Sequence, residues 1–334
     1  MYIILIDSGT TNSRIRLNKF DEERILDSIK LNIGVRNTAI DGNNSKLRHG
    51  LKKGIKELLE RNHLDTKDIM YIVASGMITS NIGIYEVPHI TSPASVDDFV
   101  AESVLYTDED FFNIPVLFIP GMRNKVTEID KVADRINQFD IMRGEEVETL
   151  GLLEQINVSG SGIMVLPGSH TKYIYVNNKG EMLNCLSTLS GELMLSTQKE
   201  TILTKSLPED LVTSVDEDMI KKGYLAAEKY GVTRALYHIR LLDFFSDLDK
   251  NQIANYYAGV ILHDDLKALF TNIETSMEVN WVIVGGSDPL KSIFDYLLNE
   301  FRPDWKIIKA NEEQVEYSTV IGSKYIVKKY RNNN

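Results

Sequence analysis

The chain has 334 residues, 43% of them hydrophobic and 25% charged, the make-up of an ordinary globular protein long enough for two domains. Its formal charge of −11 excludes the basic balance of a nucleic-acid binder, and no run of about 18 apolar residues offers a membrane span. One cysteine, Cys185, excludes an internal disulfide; set among Met182, Leu183 and Leu186, it reads as a buried thiol in a reducing, cytoplasmic compartment.

Taken in chain order, the apolar run Tyr2 to Ile6 predicts a buried strand that delivers Asp7 into a turn of small residues, Ser8-Gly9-Thr10-Thr11-Asn12-Ser13. A second alternating strand carries Arg14, Ile15 and Leu17 away, and Arg24 to Ile29 reads as a third. The Asn- and Gly-rich stretch from Arg36 to Ser45 reads as a loop, and Leu47, Leu51, Ile55, Leu58 and Leu59 recur at helical spacing. Further strands are predicted at Ile69 to Ala74 and Val116 to Ile119, and helices around Val96 to Val100 and Gly144 to Leu153. Ile163 to Leu166, Tyr173 to Val176 and Met182 to Leu186 form consecutive strands, with Asn177 to Gly180 as a hairpin turn. From Gly191 to about Phe270 the pattern is helical, with Tyr256, Tyr257, Val260 and Ile261 on one face. A strand at Trp281 to Val284, a helix at Leu290 to Phe301, a strand at Trp305 to Ile308 and a closing helix complete the chain, its polar tail from Lys324 fraying at the end. Strands alternating with helices throughout mark an α/β architecture.

Two segments share one chemistry. The Asp7 turn, and Leu166-Pro167-Gly168-Ser169-His170-Thr171-Lys172 after a later strand, both offer backbone N–H groups and short hydroxyls of the kind that cradle phosphate. With the strand–Gly285-Gly286-Ser287 element they form a constellation that predicts two related α/β halves gripping a nucleotide in the cleft between them. Other phosphate chemistries are missing: no Gly-Lys dipeptide exists for a Walker A loop, and there is no GxGxxG after a strand, no His-Arg-Asp loop and no HExxH.

On these residues the chain resembles the sugar kinases of the actin-like ATPase superfamily that includes hexokinase, and more narrowly the 2-dehydro-3-deoxygalactonokinase family. The resemblance rests on residues 7–14, Ser75 to Gly83 with Pro93-Ala94, Ile119-Pro120-Gly121, Asp140 to Glu146, Leu166 to Lys172, Ser190-Gly191-Glu192-Leu193 and Gly285-Gly286-Ser287. It implies two ribonuclease-H-like (actin-like ATPase) domains with an interdomain cleft. The first spans residues 1–142 and the second 143–311, with a closing helix over 312–330 packed back on the first. It also implies a reaction: ATP phosphorylates the 6-hydroxyl of 2-dehydro-3-deoxy-D-galactonate, giving the 6-phospho acid and ADP in galactonate catabolism. The alternatives are a kinase of another sugar acid, such as the gluconate epimer, and a non-kinase nucleotide-binding member. A small-molecule acid and ATP with Mg²⁺ are the implied partners; a homodimer through the helical second half is a further expectation.

The implied roles follow residue by residue. Asp7 holds Mg²⁺ while Gly9, Thr10, Thr11 and Asn12 line the phosphates; Arg14 pairs with phosphate or substrate, or makes only a surface ion pair. Gly168, Ser169, His170, Thr171 and Lys172 form the second phosphate clamp, His170 being equally readable as a structural group. Gly285, Gly286 and Ser287 let adenine lie against backbone. Glu145, opening a helix after Arg143-Gly144, is the expected base for the sugar hydroxyl, with Glu146 the other candidate because adjacent helix residues point about 100° apart. The acid is expected near Ser80 and Asn81, its carboxylate held by Arg36 or Arg143, with Arg123 behind them.

Overall fold

The computed structural model describes residues 1–127, 132–273 and 278–333. The chain divides into two units, one of residues 1–158, 180–185 and 313–334, the other of 159–179 and 186–312.

In the first unit, β1 (Tyr2–Ser8), β2 (Ser13–Lys19) and β3 (Ile25–Leu31) form an antiparallel meander, followed by α1 (Val35–Asp41), α2 (Ser45–Arg61) and β4 (Ile69–Gly76). After the short β5 (Ile90–Thr91) and α3 (Val96–Glu102) come β6 (Val104–Thr107), β7 (Pro115–Phe118), β8 (Met122–Arg123), β9 (Ile141–Met142) and α4 (Glu145–Gln155). The main sheet runs β3-β2-β1-β4-β7-β6, with β1, β4 and β7 parallel and β6 antiparallel to β7. Ile3, Ile4, Leu5 and Ile6 are all buried because β1 is covered on both faces, which is why it reads as an unbroken apolar run. Leu47, Leu51, Ile55 and Leu58 turn one face of α2 onto the sheet, meeting Ile4, Ile6, Ile15 and Leu17. Each such buried aliphatic side chain contributes about 1.5–3 kcal/mol.

The 36–45 stretch, expected as a loop, contains α1; its Asn and Thr residues obscured a two-turn helix. The segment 180–185 is tied in by backbone bonds between Met182 and Ala94 (2.8 and 3.0 Å) and by Asn124, whose amide side chain exchanges two 2.8 Å bonds with the Cys185 backbone. Cys185 is buried, as its neighbours predicted.

The second unit's sheet is built from β10 (Gly162–Leu166), β11 (Thr171–Val176), β12 (Met182–Thr188), β13 (Trp281–Val284) and β14 (Ile307–Lys309), in the order β12-β11-β10-β13-β14. β10 is antiparallel to β11 and parallel to β13, and β13 is parallel to β14. The first five strands of the other sheet follow the same third-second-first-fourth-fifth order, so each unit is a ribonuclease-H-like α/β fold. The helices are α5 (Ser190–Glu200), α6 (Glu217–Tyr230), α7 (Val232–Phe245), α8 (Lys250–Asn272) and α9 (Leu290–Phe301). α6 and α8 cross closely through Gly223 and Gly259, where a methyl group would lie 1.9 Å from the Tyr256 carbonyl oxygen and 2.0 Å from that of Ile220.

The last helix, α10 (Glu312–Asn333), stays helical where a frayed tail was expected. Lys324, 4% exposed, donates to the backbone carbonyls of Lys19 and Glu22 and so pins that segment down. Among the described residues, no helix is long and apolar enough to cross a membrane.

Candidate functional site

In the first unit the site begins where β1 ends. The Gly9 N–H bonds the Asn12 carbonyl at 2.9 Å and closes a tight turn whose Gly9, Thr10, Thr11 and Asn12 are exposed. Below it, the Ser13 hydroxyl donates to the Ile33 carbonyl (2.7 Å), which leaves Ser8 to donate to Ser13 (2.7 Å). Gly34 is close enough that a methyl group there would meet the Thr10 carbonyl oxygen at 2.5 Å, and the Arg36 N–H bonds that same oxygen at 2.8 Å. α1 therefore opens directly against the turn, and Arg36 presents an exposed guanidinium beside it.

Asp7 is partly exposed at the strand end. Burial raises its pKa, opposed by the charges of Arg16 and Arg14, and a bound cation would act in the same direction as those arginines. Arg14 is exposed opposite Asp7 on β2, whereas Arg16 is buried and donates to Thr319 Oγ1 at 2.7 Å. Gly76 adopts φ +82° because a side chain there would strike the Ser8 carbonyl oxygen (2.6 Å) and crowd Asp7 Oδ1 (3.3 Å). Gly144, at φ +117°, approaches in turn, its Cβ position being 3.2 Å from Gly76 Cα. Two glycines thus bring the start of α4 next to Asp7.

Three acidic residues, Glu145, Glu146 and Glu148, occupy the first turn of α4, where the helix dipole favours negative charge. Glu145, partly exposed, accepts the Arg143 N–H at Oε2 (3.0 Å). Glu146 is fully buried; its Oε1 accepts the Gly144 N–H at 2.8 Å, and its Oε2 has no partner. Burial, helped by the neighbouring Glu145 charge, pushes the Glu146 pKa up to about 8. Adjacent residues on one helix have thus been sorted into a solvated carboxylate and a buried one.

Arg143 does something its charge did not reveal. Nη1 donates to the Thr79 carbonyl (2.7 Å) and hydroxyl (2.6 Å), and Nη2 to the Val87 carbonyl (3.0 Å) and to His89 Nδ1 (3.2 Å). Burial and the charges of Arg143 and Arg123 hold His89 down to about 4, so its Nδ1 is an acceptor at neutral pH. The guanidinium therefore straps the 77–89 loop that carries Ser80 and Asn81. Ser80 is buried with its hydroxyl on the Met77 carbonyl (2.7 Å), while Asn81 is exposed. Arg123 is exposed and donates to Thr91 Oγ1 at 3.2 Å.

In the second unit, Gly168, Ser169 and His170 form the exposed bend between β10 and β11. Gly191 presses against it: a methyl group there would lie 2.2 Å from the Gly168 carbonyl oxygen, and the Glu192 N–H bonds the Ser169 carbonyl at 3.0 Å. His170 Nε2 lies 3.3 Å from Glu192 Oε1. Thr171 and Lys172 point inward: Thr171 Oγ1 is 2.8 Å from Ser190 Oγ, and Lys172 Nζ is 2.5 Å from Ser187 Oγ. Gly168 and Ser169 also form one end of a cavity of about 440 Å³. Its other walls include Met194, Leu211, Ala254, Ala258 and Leu290, an apolar slot of a size suited to a purine base. Gly286, at φ +73°, packs against the Pro167 carbonyl (2.8 Å from its Cβ position); Pro289, Leu290 and Ile293 just beyond it line the slot.

Sequence reasoning missed the wall at Asp210, Leu211 and Val212, which sits in an irregular connection with no periodicity to betray it. Among the described residues, no group of three or more His, Cys, Asp or Glu side chains forms a metal cage, so a divalent ion here would depend on ligand phosphates as well as on Asp7.

A family model described as 2-keto-3-deoxy-galactonokinase matches residues 7–316, from the Asp7 turn into α10. The chain belongs to that family. It is accordingly an ATP-dependent carbohydrate kinase. A crystal structure of a presumed 2-dehydro-3-deoxygalactonokinase from Sinorhizobium meliloti superposes with a TM-score of 0.74 at 17% identity, covering 98% of this chain and 96% of that one. The activator of 2-hydroxyisocaproyl-CoA dehydratase from Clostridium difficile, with bound ADPNP, superposes at 0.50 with 15% identity, covering 100% and 97%. At these identities the likeness is one of fold. No curated protein matches the sequence.

Proposed function

We propose that this chain, in the cytoplasm, transfers the terminal phosphoryl group of ATP to the 6-hydroxyl of 2-dehydro-3-deoxy-D-galactonate. The observation that carries the reading is the family match from residue 7 to 316, which takes in the Asp7 turn, the paired glutamates of α4 and the Gly168 bend together. The Gly9–Asn12 turn and the Gly168–Lys172 segment hold the phosphates through N–H groups and hydroxyls, and the apolar slot takes adenine. Asp7 holds Mg²⁺, which neutralises phosphate charge as the bond to the leaving oxygen breaks. Glu145, partly exposed, orients the sugar-acid hydroxyl and accepts its proton as the new bond from that oxygen to phosphorus forms; ADP departs with the former bridging oxygen. Glu146 supports the same helix end from within the core. The Arg143 strap leaves Arg36 as the cation we assign to the substrate carboxylate, with Arg14 turned to phosphate and Asn81 to a hydroxyl or the 2-keto oxygen.

Replacing the base tests this. Glu145→Gln should lower kcat by about 10²–10⁴ with little change in KM for ATP. Activity within a few-fold of wild type removes Glu145 from the role.

A further inference from the structure

Beneath the Gly168 bend lies a buried carboxylate that the mechanism above does not use. Asp265, on α8, is 5% exposed, and its Oδ2 has no hydrogen-bond partner. Burial raises its pKa to about 6, with the hydroxyls of Ser190, Thr188 and Thr171 pulling it back down. Two of those belong to the loop just described: Thr171 is the first residue of β11 after the bend, and Ser190 opens α5 immediately before Gly191, which presses on the Gly168 carbonyl. The two hydroxyls also contact each other at 2.8 Å. Buried Tyr173, two residues beyond Thr171, lies close enough for the Asp265 charge to raise its pKa further after burial has done so.

The helix places this carboxylate on the nucleotide side. Ala254 and Ala258 of α8 line the apolar slot, and steps of four, three and four residues carry the same face through Ile261 to Asp265. One side of α8 therefore meets the slot at one point and the underside of the phosphate bend about two turns further on.

We propose that Asp265 is a positioning residue for the second phosphate loop: by collecting the hydroxyls of Thr171 and Ser190 from below, it fixes the Gly168–Ser169 backbone for phosphate. Leaving those buried hydroxyls without their acceptor frees the bend to sample other geometries, while the base slot keeps its own walls. The inference rests on the kinase reading for its kinetic readout, but not for its binding readout.

The experiment compares wild type with Asp265→Asn, Asp265→Ala, Ser190→Ala and the Asp265→Asn/Ser190→Ala pair. Asp264→Asn serves as a neighbouring control whose carboxylate is largely exposed. KM for ATP should rise about tenfold or more in the Asp265 variants, KM for the sugar acid should stay within about twofold, and calorimetric affinity for ATP should fall while that for adenosine holds. Ser190→Ala should move the same quantities in the same direction, and the double variant should lose less than the sum of the two. Should the Asp265 variants fail to fold, Ser190→Ala and the ATP-to-adenosine affinity ratio decide the matter. Unchanged ATP affinity in Ser190→Ala and the folded Asp265 variants, or equal losses for ATP and adenosine, would overturn the proposal. If wild type binds ATP yet phosphorylates no sugar acid, the kinase reading fails, and the brace is still judged by the affinity ratio.

Discussion

Arg143 and Glu146 show how far a side chain's job departs from its charge. Arg143 spends both terminal nitrogens on Thr79, Val87 and His89, acceptors that come together only in the folded loop, so its sequence neighbourhood could not announce them. A lysine lacks the planar fork needed to reach all of them. Arg143→Lys should therefore raise KM for the sugar acid several-fold and loosen the 77–89 loop, read as faster amide exchange there, with ATP affinity little changed. Unaltered exchange would show that the strap does not order the loop. Glu146 was legible as one of two candidates, but not as the buried one: which of two adjacent helix residues faces the core depends on how α4 is rotated, and Gly144 sets that. Its folded pKa of about 8 lies above its unfolded value, so the folded state binds the extra proton between these limits. That contribution to stability is full below about pH 4.5 and is lost as pH rises through about 8. Glu146→Gln should remove this dependence and be more stable than wild type above pH 8, by up to a few kcal/mol in urea titrations. Parallel stability curves for the two proteins across pH 5 to 9 would contradict the assignment.

Among the helices and strands, the long apolar or periodic ones were readable and the short ones were not. β1, α2 and β10 declare themselves because a buried element must be apolar where it is covered. The two-residue strands β5, β8 and β9 form a small sheet of their own, and α1 sits in a polar stretch; neither is long enough to develop a period. Asp265 did leave a signal, a carboxylate four residues past Ile261 on a face otherwise filled by Tyr257, Ala258 and Ile261, but only packing shows that loop hydroxyls meet it. Helix contacts through glycine were likewise invisible. Gly151 of α4 lies so close to α10 that a methyl group would sit 1.7 Å from the Ser318 carbonyl oxygen, and Gly322 returns the contact against Val147 at 2.0 Å. Since backbone cannot move aside as a flexible side chain can, Gly151→Ala should cost about 1–3 kcal/mol or more in chemical denaturation. A variant as stable as wild type would mean the two helices are not packed this closely.

For the molecule as a whole, the repeated strand order is what the sequence displayed best, since each unit spends a strand, a glycine-and-hydroxyl turn and a second strand in the same succession. The family match extends over nearly the same span as the residues that suggested it. Stereochemical preference is another matter: it depends on one hydroxyl and its partner, and no motif encodes that pairing. A coupled assay of ADP release, run with 2-dehydro-3-deoxy-D-galactonate, its gluconate epimer and no acceptor, tests the account most directly. It predicts ADP release that requires an acid, is fastest with the galactonate form and matches the 6-phospho acid formed mole for mole. ATP turnover that proceeds equally without any sugar acid would contradict it.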